Sequence, residues 1–303
     1  MVIPDKVHTI RKKTFSGCTN LTSVVIKNHM YNSTIKKSAF EGCENLTDIY
    51  FASPPPELED PNEFENCPCT FYYIIGTAGW GNEYAGHPAK IWTIKVTFDG
   101  NGGTPTTPEK IYNAGVPCGD LPTANHPGFP FAGWWMEDAK TQIDADTPAP
   151  LVAGGCTLYA AYSHVHSLLI GWNLISARLN NLIAESQEQL LNRGAMTLDA
   201  NGTAYVSNAN LAASQACWVY CHEAEDITLL GTPPEDADFE ANLKPGWNFV
   251  GPLHGHTLSN PGAMAWRWNG RHFSTTENLL AGHGYWLYWP GGYVAPPEDT
   301  YLI

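Results

Sequence analysis

Cysteines are the first residues in this 303-residue chain whose chemistry could matter, and there are eight of them. They are Cys18, Cys43, Cys67, Cys69, Cys118, Cys156, Cys217 and Cys221. Structural zinc sites need two closely spaced pairs of ligands, and the cysteines do not fall into such double pairs. Cys217 and Cys221 have the spacing of one helical turn, but they lie in the strand-like run Ala-Cys-Trp-Val-Tyr-Cys. The sequence therefore predicts no zinc site.

Acidic residues are the next candidates, because two opposed carboxylates can cleave a glycosidic bond. Glu223, Glu225 and Asp226 are close together, but they stand between a predicted strand and the apolar run that starts at Ile227. That position is typical of a solvated turn. A second acidic group is predicted to be a polar linker, and it consists of Glu235, Asp236, Asp238 and Glu240.

Histidines offer one possible metal clip, His254 and His256, with no third ligand close in sequence. The chain also lacks a Gly-x-Ser-x-Gly elbow, a His-Glu-x-x-His run and a phosphate-binding loop. We therefore predict that the protein is not an enzyme, and that it requires neither a metal nor another cofactor.

The charge of the chain excludes several classes of partner. Its net charge is −14, and residues 165–303 contain a single lysine, Lys244. Such a chain repels phosphate and anionic lipid, so nucleic acid is not an expected partner. No apolar run approaches the roughly 20 residues that span a bilayer, so we expect no membrane insertion within this piece. The first residues do not resemble a secretory signal, so the signal of an exported parent would lie upstream.

An internal repeat opens the chain. Phe-Ser-Gly-Cys-Thr-Asn-Leu-Thr at 15–22 returns as Phe-Glu-Gly-Cys-Glu-Asn-Leu-Thr at 40–47, and Phe64 to Cys67 form a third, weaker copy. Apolar residues follow each cysteine at fixed offsets, which predicts a short strand that stacks on the next coil. The inward residues are Leu21, Val24 and Ile26, then Leu46, Ile49 and Phe51, then Tyr73 and Ile75.

These copies resemble the BspA-like leucine-rich repeats of bacterial surface proteins, over about residues 5–92. The resemblance implies a solenoid whose cysteines pack as small apolar groups, as buried free cysteines generally do. The predicted core of this part comprises Phe15, Cys18, Leu21, Phe40, Cys43, Leu46 and Cys67.

Residues 93–163 change to alternating apolar residues, Ile94, Val96 and Phe98, followed by a glycine-rich turn at 100–103. Phe131-Ala132-Gly133-Trp134 and Leu158-Tyr159-Ala160-Ala161-Tyr162 follow later. Together they resemble the Listeria–Bacteroides repeat, also called the internalin B-repeat, although its last aromatic residue is usually Trp. The resemblance implies a small β-grasp-like module with Trp134 in its core. A disulfide between Cys118 and Cys156 is left open, since spacing cannot show whether the two Cβ atoms meet.

The last segment is a duplication. Gly171-Trp172-Asn173-Leu174-Ile175 returns 75 positions later from Gly246, whereas Trp218-Val219-Tyr220 returns 68 positions later from Trp286. The length difference is assigned to 186–196, which is also the best helix candidate. Two copies, at about 165–235 and 240–303, are predicted to pair as a pseudo-twofold β-sandwich or barrel with Trp172, Trp218, Trp247 and Trp286 in its core. The opening motif resembles repeats at the ends of bacterial surface proteins, with no assigned chemistry.

Aromatic rings are dense near the end of the second copy, and such patches mark interaction sites when they are exposed. Side chains alternate between the two faces of a strand, so at least half of these rings must be core. By the offset of 68, Trp268 corresponds to Ala200 and is private to the second copy. Trp268, Trp289 and Trp266 are therefore the predicted ligand-binding residues.

These observations predict a mainly β, multidomain chain divided at 1–92, 93–164 and 165–303. The predicted function is non-catalytic adhesion or protein interaction at a bacterial surface or in secreted form, as a monomer. The partner would be a host or bacterial surface protein. The alternative is a carbohydrate-binding module at 165–303, carried on repeat spacers, whose partner would be a polysaccharide.

Overall fold

A computed structural model describes residues 1–27, 34–60, 64, 67–199, 201–235, 239–260 and 262–290. Strands make up 43% of the chain and helices 4%, and the described residues form several sheets without a closed barrel. The predicted mainly β class is therefore confirmed. The described residues of the last segment do not form the barrel that was the alternative to a sandwich.

Most of the strands are short, as expected of a chain rich in glycine and proline. The first nine are β1 Val2–Ile3, β2 Thr9–Ile10, β3 Ser23–Ile26, β4 Thr34–Ile35, β5 Asp48–Phe51, β6 Glu57–Leu58, β7 Thr70–Tyr73, β8 Glu83–Tyr84 and β9 His87–Ile91. The next seven are β10 Thr93–Asp99, β11 Thr104–Pro105, β12 Glu109–Asn113, β13 Ala124–Asn125, β14 Phe131–Trp135, β15 Gln142–Ile143 and β16 Cys156–Leu168.

The duplicated segment contributes the remaining elements. Its first copy contains β17 Gly171–Ser176, helix α1 Ala184–Leu191, β18 Met196–Leu198, β19 Tyr205–Ser207, β20 Ala216–Cys221 and β21 Glu225–Gly231. A 3-10 helix, Glu240–Asn242, precedes the second copy. That copy contains β22 Gly246–Val250, β23 His256–Thr257, β24 Met264–Trp268, β25 Phe273–Thr276, β26 Asn278–Leu279 and β27 Tyr285–Trp289.

The chain divides into two compact units. The first unit consists of Met1–Phe98, Thr107–Pro122 and Ile143–Leu158. The second consists of Asp99–Thr106, Thr123–Gln142 and Tyr159–Ile303. Residues 93–164 are thus shared between them.

A parallel sheet in the order β1, β3, β5, β7, β9 is the centre of the first unit. Val24, Ile49 and Phe71 stand in register on adjacent strands, and all three are fully buried. A second, shorter parallel sheet joins β2, β4 and β6. The first three coils therefore supply one strand to each sheet, and the buried apolar side chains of one coil stack on those of the next, as in a solenoid.

The third copy of the repeat is shorter than the sequence pattern predicted. Phe71 pairs with Ile49 and Tyr73 pairs with Phe51, so the inward pair is Phe71 and Tyr73. The predicted inward residue Ile75 lies outside β7 and is 42% exposed. The step from Ile49 to Phe71 is 22 residues, against 25 from Val24 to Ile49, so an offset counted from the cysteine fails here.

The cysteines of the repeats differ in burial. Cys43 and Cys67 are buried, and each thiol donates to a carbonyl of the preceding coil: Cys43 Sγ to Phe15 O and Cys67 Sγ to Leu46 O, both at 3.1 Å. Cys18 is exposed, so its assignment to the core was wrong. The physical reason is that residues 1–14 contain no copy of the motif whose carbonyl could cover it. Phe15 and Leu21 are half-buried.

Strand β10 shows the predicted alternation, because Ile94, Val96 and Phe98 are buried while Thr93, Lys95 and Asp99 are exposed. It pairs antiparallel with β12 in the first unit. Residues 159–168 of the 13-residue β16 belong to the second unit, where they pair antiparallel with β14 and with β21. Strand β16 runs through position 164 and pairs with β21, a strand of the first copy.

The two copies form facing four-stranded antiparallel sheets, β17-β20-β18-β19 and β22-β27-β24-β25. Their registers agree: Leu174 pairs with Trp218 as Phe249 pairs with Trp286. Aromatic and aliphatic side chains from both sheets meet in one core cluster, so the described residues form a sandwich. The predicted helix is present as α1, which ends at Leu191, earlier than predicted.

Candidate functional sites

The three predicted ligand-binding tryptophans lie on different faces of the second copy. Trp266 and Trp268 are half-buried against the cluster between the two sheets. Trp289 packs on the opposite face of its sheet, against the cluster of Tyr285 and Leu287. Side chains of β27 alternate between the two faces of its sheet, and the three indole rings do not form one surface.

Trp268 has a structural counterpart in the first copy, contrary to the sequence interpretation. Trp268 pairs with Phe273 across its hairpin, just as Leu198 pairs with Tyr205. The hairpin turn is two residues shorter in the second copy, so the offset changes from 70 in the first strand to 68 after the turn. The Trp268 indole also donates a hydrogen bond from Nε1 to the carbonyl of Trp172 at 2.8 Å, and its ring lies 5.6 Å from that of Trp218. Trp268 of the second copy thus contacts the first copy through a hydrogen bond and a ring contact.

A cysteine and a histidine meet in the first unit, where Cys69 Sγ lies 3.8 Å from His87 Nδ1. This pair is not arranged as a nucleophile and its base. Cys69 is 2% exposed, and its pKa is raised by the neighbouring Cys67 thiol and by burial. A reactive cysteine needs a lowered pKa and access to solvent. The pair is a packing contact.

The other cysteines are free thiols as well. Cys217 and Cys221 lie four residues apart on β20, which separates them by about 13 Å along a strand, whereas a disulfide needs Cα atoms within about 7 Å. Burial raises the pKa of Cys217 to about 12. Cys118 is buried and Cys156 is half-buried, and both thiols have pKa values raised by burial.

The acidic groups are held by structural contacts. Glu225 lies in β21 rather than in a turn. The Arg193 guanidinium donates two hydrogen bonds to its carboxylate, at 2.7 and 3.0 Å. Arg193 also donates to the carbonyl of Gln189 in α1, so the pair fastens the helix to the strand. Of the predicted polar linker, Glu235 and Glu240 are described, while Asp236 and Asp238 lie outside the described residues.

Glu240, His256 and Ser259 have the residue types of a catalytic triad but not its connectivity. The Glu240 carboxylate accepts the hydroxyl of Ser259 directly, and its other oxygen lies 2.9 Å from His256 Nε2. In a triad the histidine stands between serine and acid, taking the proton from the hydroxyl. Here the carboxylate stands between them. The described residues contain no group of three or more potential ligands that could hold a metal ion.

The outer face of the parallel sheet carries two residues that the sequence interpretation overlooked. Tyr50 and Tyr72 are in register on β5 and β7, pointing away from the core, with ring centroids 4.8 Å apart in a stacked arrangement. Tyr50 also touches Trp92, whose ring centroid is 4.9 Å away. A signal was present, since a tyrosine stands between the two inward residues in both strands.

Charge flanks this tyrosine pair. Asp48 precedes Tyr50 by two residues on the same face, and Lys90 pairs with Tyr72 from β9. Burial, followed by the Asp48 carboxylate and Tyr72, raises the pKa of Tyr50 to about 12, so its hydroxyl stays a neutral donor. Aromatic rings with a polar tip, set among charges of both signs, are the usual centre of a protein-binding surface.

Comparison with known families agrees with two of the three resemblances. Residues 1–72 match the family model described as the BspA type leucine rich repeat region (6 copies), and residues 95–161 match the Listeria-Bacteroides repeat domain. Both kinds of repeat are non-enzymatic domains typical of bacterial surface proteins that take part in protein interaction. No curated protein and no solved structure matches the chain. No helix in the described part of the chain is both long and apolar enough to cross a membrane.

Proposed function

We propose that this chain is a non-catalytic binding part of a protein displayed on, or secreted from, a bacterium, and that its partner is another protein. The outer face of the parallel sheet, centred on Tyr50 and Tyr72, is the binding surface. The stacked tyrosine pair is the observation that carries the proposal. The repeats supply a rigid frame for it, and the monomer is the active form.

The chemistry of this face supports a protein partner. Tyrosine contributes a large contact area at a low cost in side-chain entropy, and Tyr50 and Tyr72 hold each other in place before any partner arrives. Asp48 and Lys90 lie on either side and can form polar contacts at the rim. The matched repeat families favour the same class of partner.

The test is a binding screen of the full chain against extracellular host proteins and bacterial surface proteins, read by surface plasmon resonance. Each hit is titrated with Tyr50→Ser and Tyr72→Ser, and with Tyr220→Ser as the matched control, because Tyr220 is 38% exposed and lies in the second unit. We expect the first two variants to bind at least 10-fold more weakly, as for central aromatic residues of interfaces. Unchanged affinity in both would refute this surface.

Three tryptophan variants test the alternative function that the sequence predicts. If Trp268→Ala, Trp266→Ala or Trp289→Ala abolishes binding to a polysaccharide, and no protein ligand depends on Tyr50 or Tyr72, the sheet face is not the functional surface. A circular dichroism spectrum of each Trp variant is needed beside the binding data, since Trp268 also joins the two copies.

A further inference from the structure

A cleft of about 820 Å³ lies within the second unit and is distinct from the tyrosine surface. We call it the amide cleft, because asparagine side chains form its polar wall: Asn101, Asn180, Asn181 and Asn242. Its lining comes from the turn after β10, the loop after β17, the segment before β20, the segment after β21 and the start of the second copy. Pockets of about 300–1,000 Å³ suit small organic ligands.

The polar wall offers both a donor and an acceptor. Asn180 Oδ1 accepts the backbone N–H of Ala213 at 2.8 Å, and Asn181 Nδ2 donates to Thr232 Oγ1 at 3.2 Å. These bonds orient the two amides and leave the Asn180 NH₂ group and the Asn181 carbonyl oxygen without a partner among the described residues. A ligand that both donates and accepts hydrogen bonds would satisfy them.

Another part of the lining is apolar. Phe239 lines it together with Val250 and Leu243, and the Phe239 ring lies 5.3 Å from that of His256. His256 is in turn held by Glu240 at 2.9 Å. The Phe239 ring is thus fixed in position by His256, and a ligand with one apolar face can lie against it. A pyranose ring has this amphipathic character, with hydroxyl groups at its edge and C–H groups on its face.

Charge selects against anionic ligands. None of the described residues that line the cleft is lysine or arginine, and Glu235 is the one acid among them. An anionic ligand would find no permanent counter-charge among these residues, and the net charge of −14 would repel it. The chemistry fits a neutral, hydroxyl-rich molecule.

The backbone at the cleft is unusual. Asn101, Asn181 and Ser214 have φ values of 49°, 47° and 66°, and they account for three of the seven non-glycine residues with positive φ among those described. Such conformations concentrate where ligands are clamped. They turn these three positions toward the same cleft instead of continuing a strand.

The cleft also continues beyond its main volume. A neighbouring groove of about 320 Å³ shares Asn101, Asn181 and Thr232 with it and runs on to Trp135 and Tyr159. A single sugar ring would leave most of this space empty, whereas a short chain of rings would use it.

From these observations we propose that the amide cleft binds a neutral oligosaccharide of several rings, independently of protein binding at Tyr50 and Tyr72.

The experiment is a calorimetric titration of the full chain with neutral hexasaccharides, namely maltohexaose, cellohexaose, mannohexaose and chitohexaose, and with anionic hexagalacturonate. Asn181→Gly and Phe239→Ala are the test variants. Glycine tolerates the positive φ of Asn181, so this variant removes the amide without straining the backbone. Leu169→Ala is the control, since Leu169 is 57% exposed in the same unit and does not line the cleft.

We expect at least one neutral hexasaccharide to bind, and Asn181→Gly to weaken it about 5- to 10-fold, as the loss of one or two hydrogen bonds implies. Phe239→Ala should weaken it by at least as much, and Leu169→Ala should leave it unchanged. Hydrogen exchange of the complex should show protection at residues 180–181, 213–214 and 232.

Three results would overturn the proposal. One is that no neutral hexasaccharide binds. Another is that hexagalacturonate binds as tightly as the neutral chains. The third is binding that survives in both test variants, or protection that falls on Trp266 and Trp289 instead of the amide cleft.

Discussion

Ile175 and His283 form an isolated antiparallel bridge between the two copies of the duplicated segment, and Val250 and Gln215 form the same bridge in reverse. Val250 follows Ile175 by 75 positions, and His283 follows Gln215 by 68, which are the two offsets of the duplication. The bridge that Ile175 of the first copy forms with the second copy is therefore repeated by the equivalent residue of the second copy, Val250, with the first copy. This is how a twofold interface behaves, with both halves here in one chain.

The repeated asparagine is expected to stabilise both copies to the same degree. Asn173 accepts the N–H of Leu169 and donates to the carbonyls of Leu169 and Gly171, all within 3.0 Å. Asn248 makes the equivalent bonds with Lys244 and Gly246. Asn173→Ala and Asn248→Ala should each lower the free energy of unfolding by about 1–3 kcal/mol, because they leave backbone groups without partners.

Urea denaturation measures this, with Asn208→Ala as the control, since Asn208 Oδ1 accepts one exposed backbone bond. The control should change stability by less than about 0.5 kcal/mol. If Asn173→Ala and Asn248→Ala lower the free energy of unfolding no more than Asn208→Ala does, these two asparagines do not stabilise the copies.

Gly251 stands where the first copy has Ser176, and its substitution is expected to separate the copies. A Cβ atom on Gly251 would collide with the carbonyl oxygen of His283 and would lie 2.5 Å from Ser176 Cβ. Gly251→Ala should therefore cost about 2 kcal/mol or more, as overpacking does at rigid sites. Gly255→Ala is the matched control, because its nearest atom would be 4.0 Å away and its φ is not positive. Equal melting temperatures for the two variants would contradict the close approach.

Acid is expected to weaken the second unit through a cluster of buried basic groups. His164 and His166 lie on one face of β16 with ring centroids 4.5 Å apart, and Arg178 Nη1 lies 3.3 Å from His164 Nδ1. Burial, then neighbouring positive groups, lowers the pKa of His164 to about 4 and of His166 to about 3, and burial lowers that of His283. None of the groups that act on these three pKa values is a carboxylate.

The direction of this pH dependence follows from the linkage between proton binding and folding. The unfolded chain binds these protons near the ordinary histidine pKa of about 6.5, whereas the folded chain resists them until pH 3–4. Stability should therefore fall as the pH drops below about 6.5, by about 3 kcal/mol for His166 alone at pH 4. His166→Leu should flatten the pH dependence of urea unfolding, and His222→Gln should not. A wild-type curve that is level from pH 7 to pH 4 would contradict the buried cluster.

Thiol labelling is expected to distinguish the cysteines by burial. Cys18 is exposed and should react with iodoacetamide within minutes in the native protein. Cys43, Cys67, Cys69 and Cys217 are buried, and burial raises the pKa of Cys217 to about 12, so they should react only after unfolding. Peptide mass spectrometry with and without urea measures the difference. Native labelling of Cys217 would show that β20 opens readily.

The repeats were the part of the fold that the sequence could predict. A motif that returns at a constant spacing indicates stacked coils whichever neighbours surround it, so Phe40, Cys43 and Leu46 were assigned to the core, and they are buried. A constant sequence offset between copies gave the wrong position for Ile75 and the wrong counterpart for Trp268, because the offset changes where a turn is two residues shorter. Register in a strand depends on turn length, and a shift of two residues keeps the face but changes the partner. The division at 92 and 164 stays a prediction.

By itself, the sequence determined the class of the protein: mainly β, built of repeats, acidic, and without a recognised catalytic motif. These properties are sums or periodicities along the chain, and they survive without knowledge of any distant contact. The tertiary structure decided which residues face outward together. Tyr50 meets Tyr72 only because two coils stack, and Asn101 and Asn181 line the same cleft only because the fold brings a turn and a loop from distant parts of the sequence together. Sites are made of residues that are close in space, and one-dimensional spacing does not carry that information.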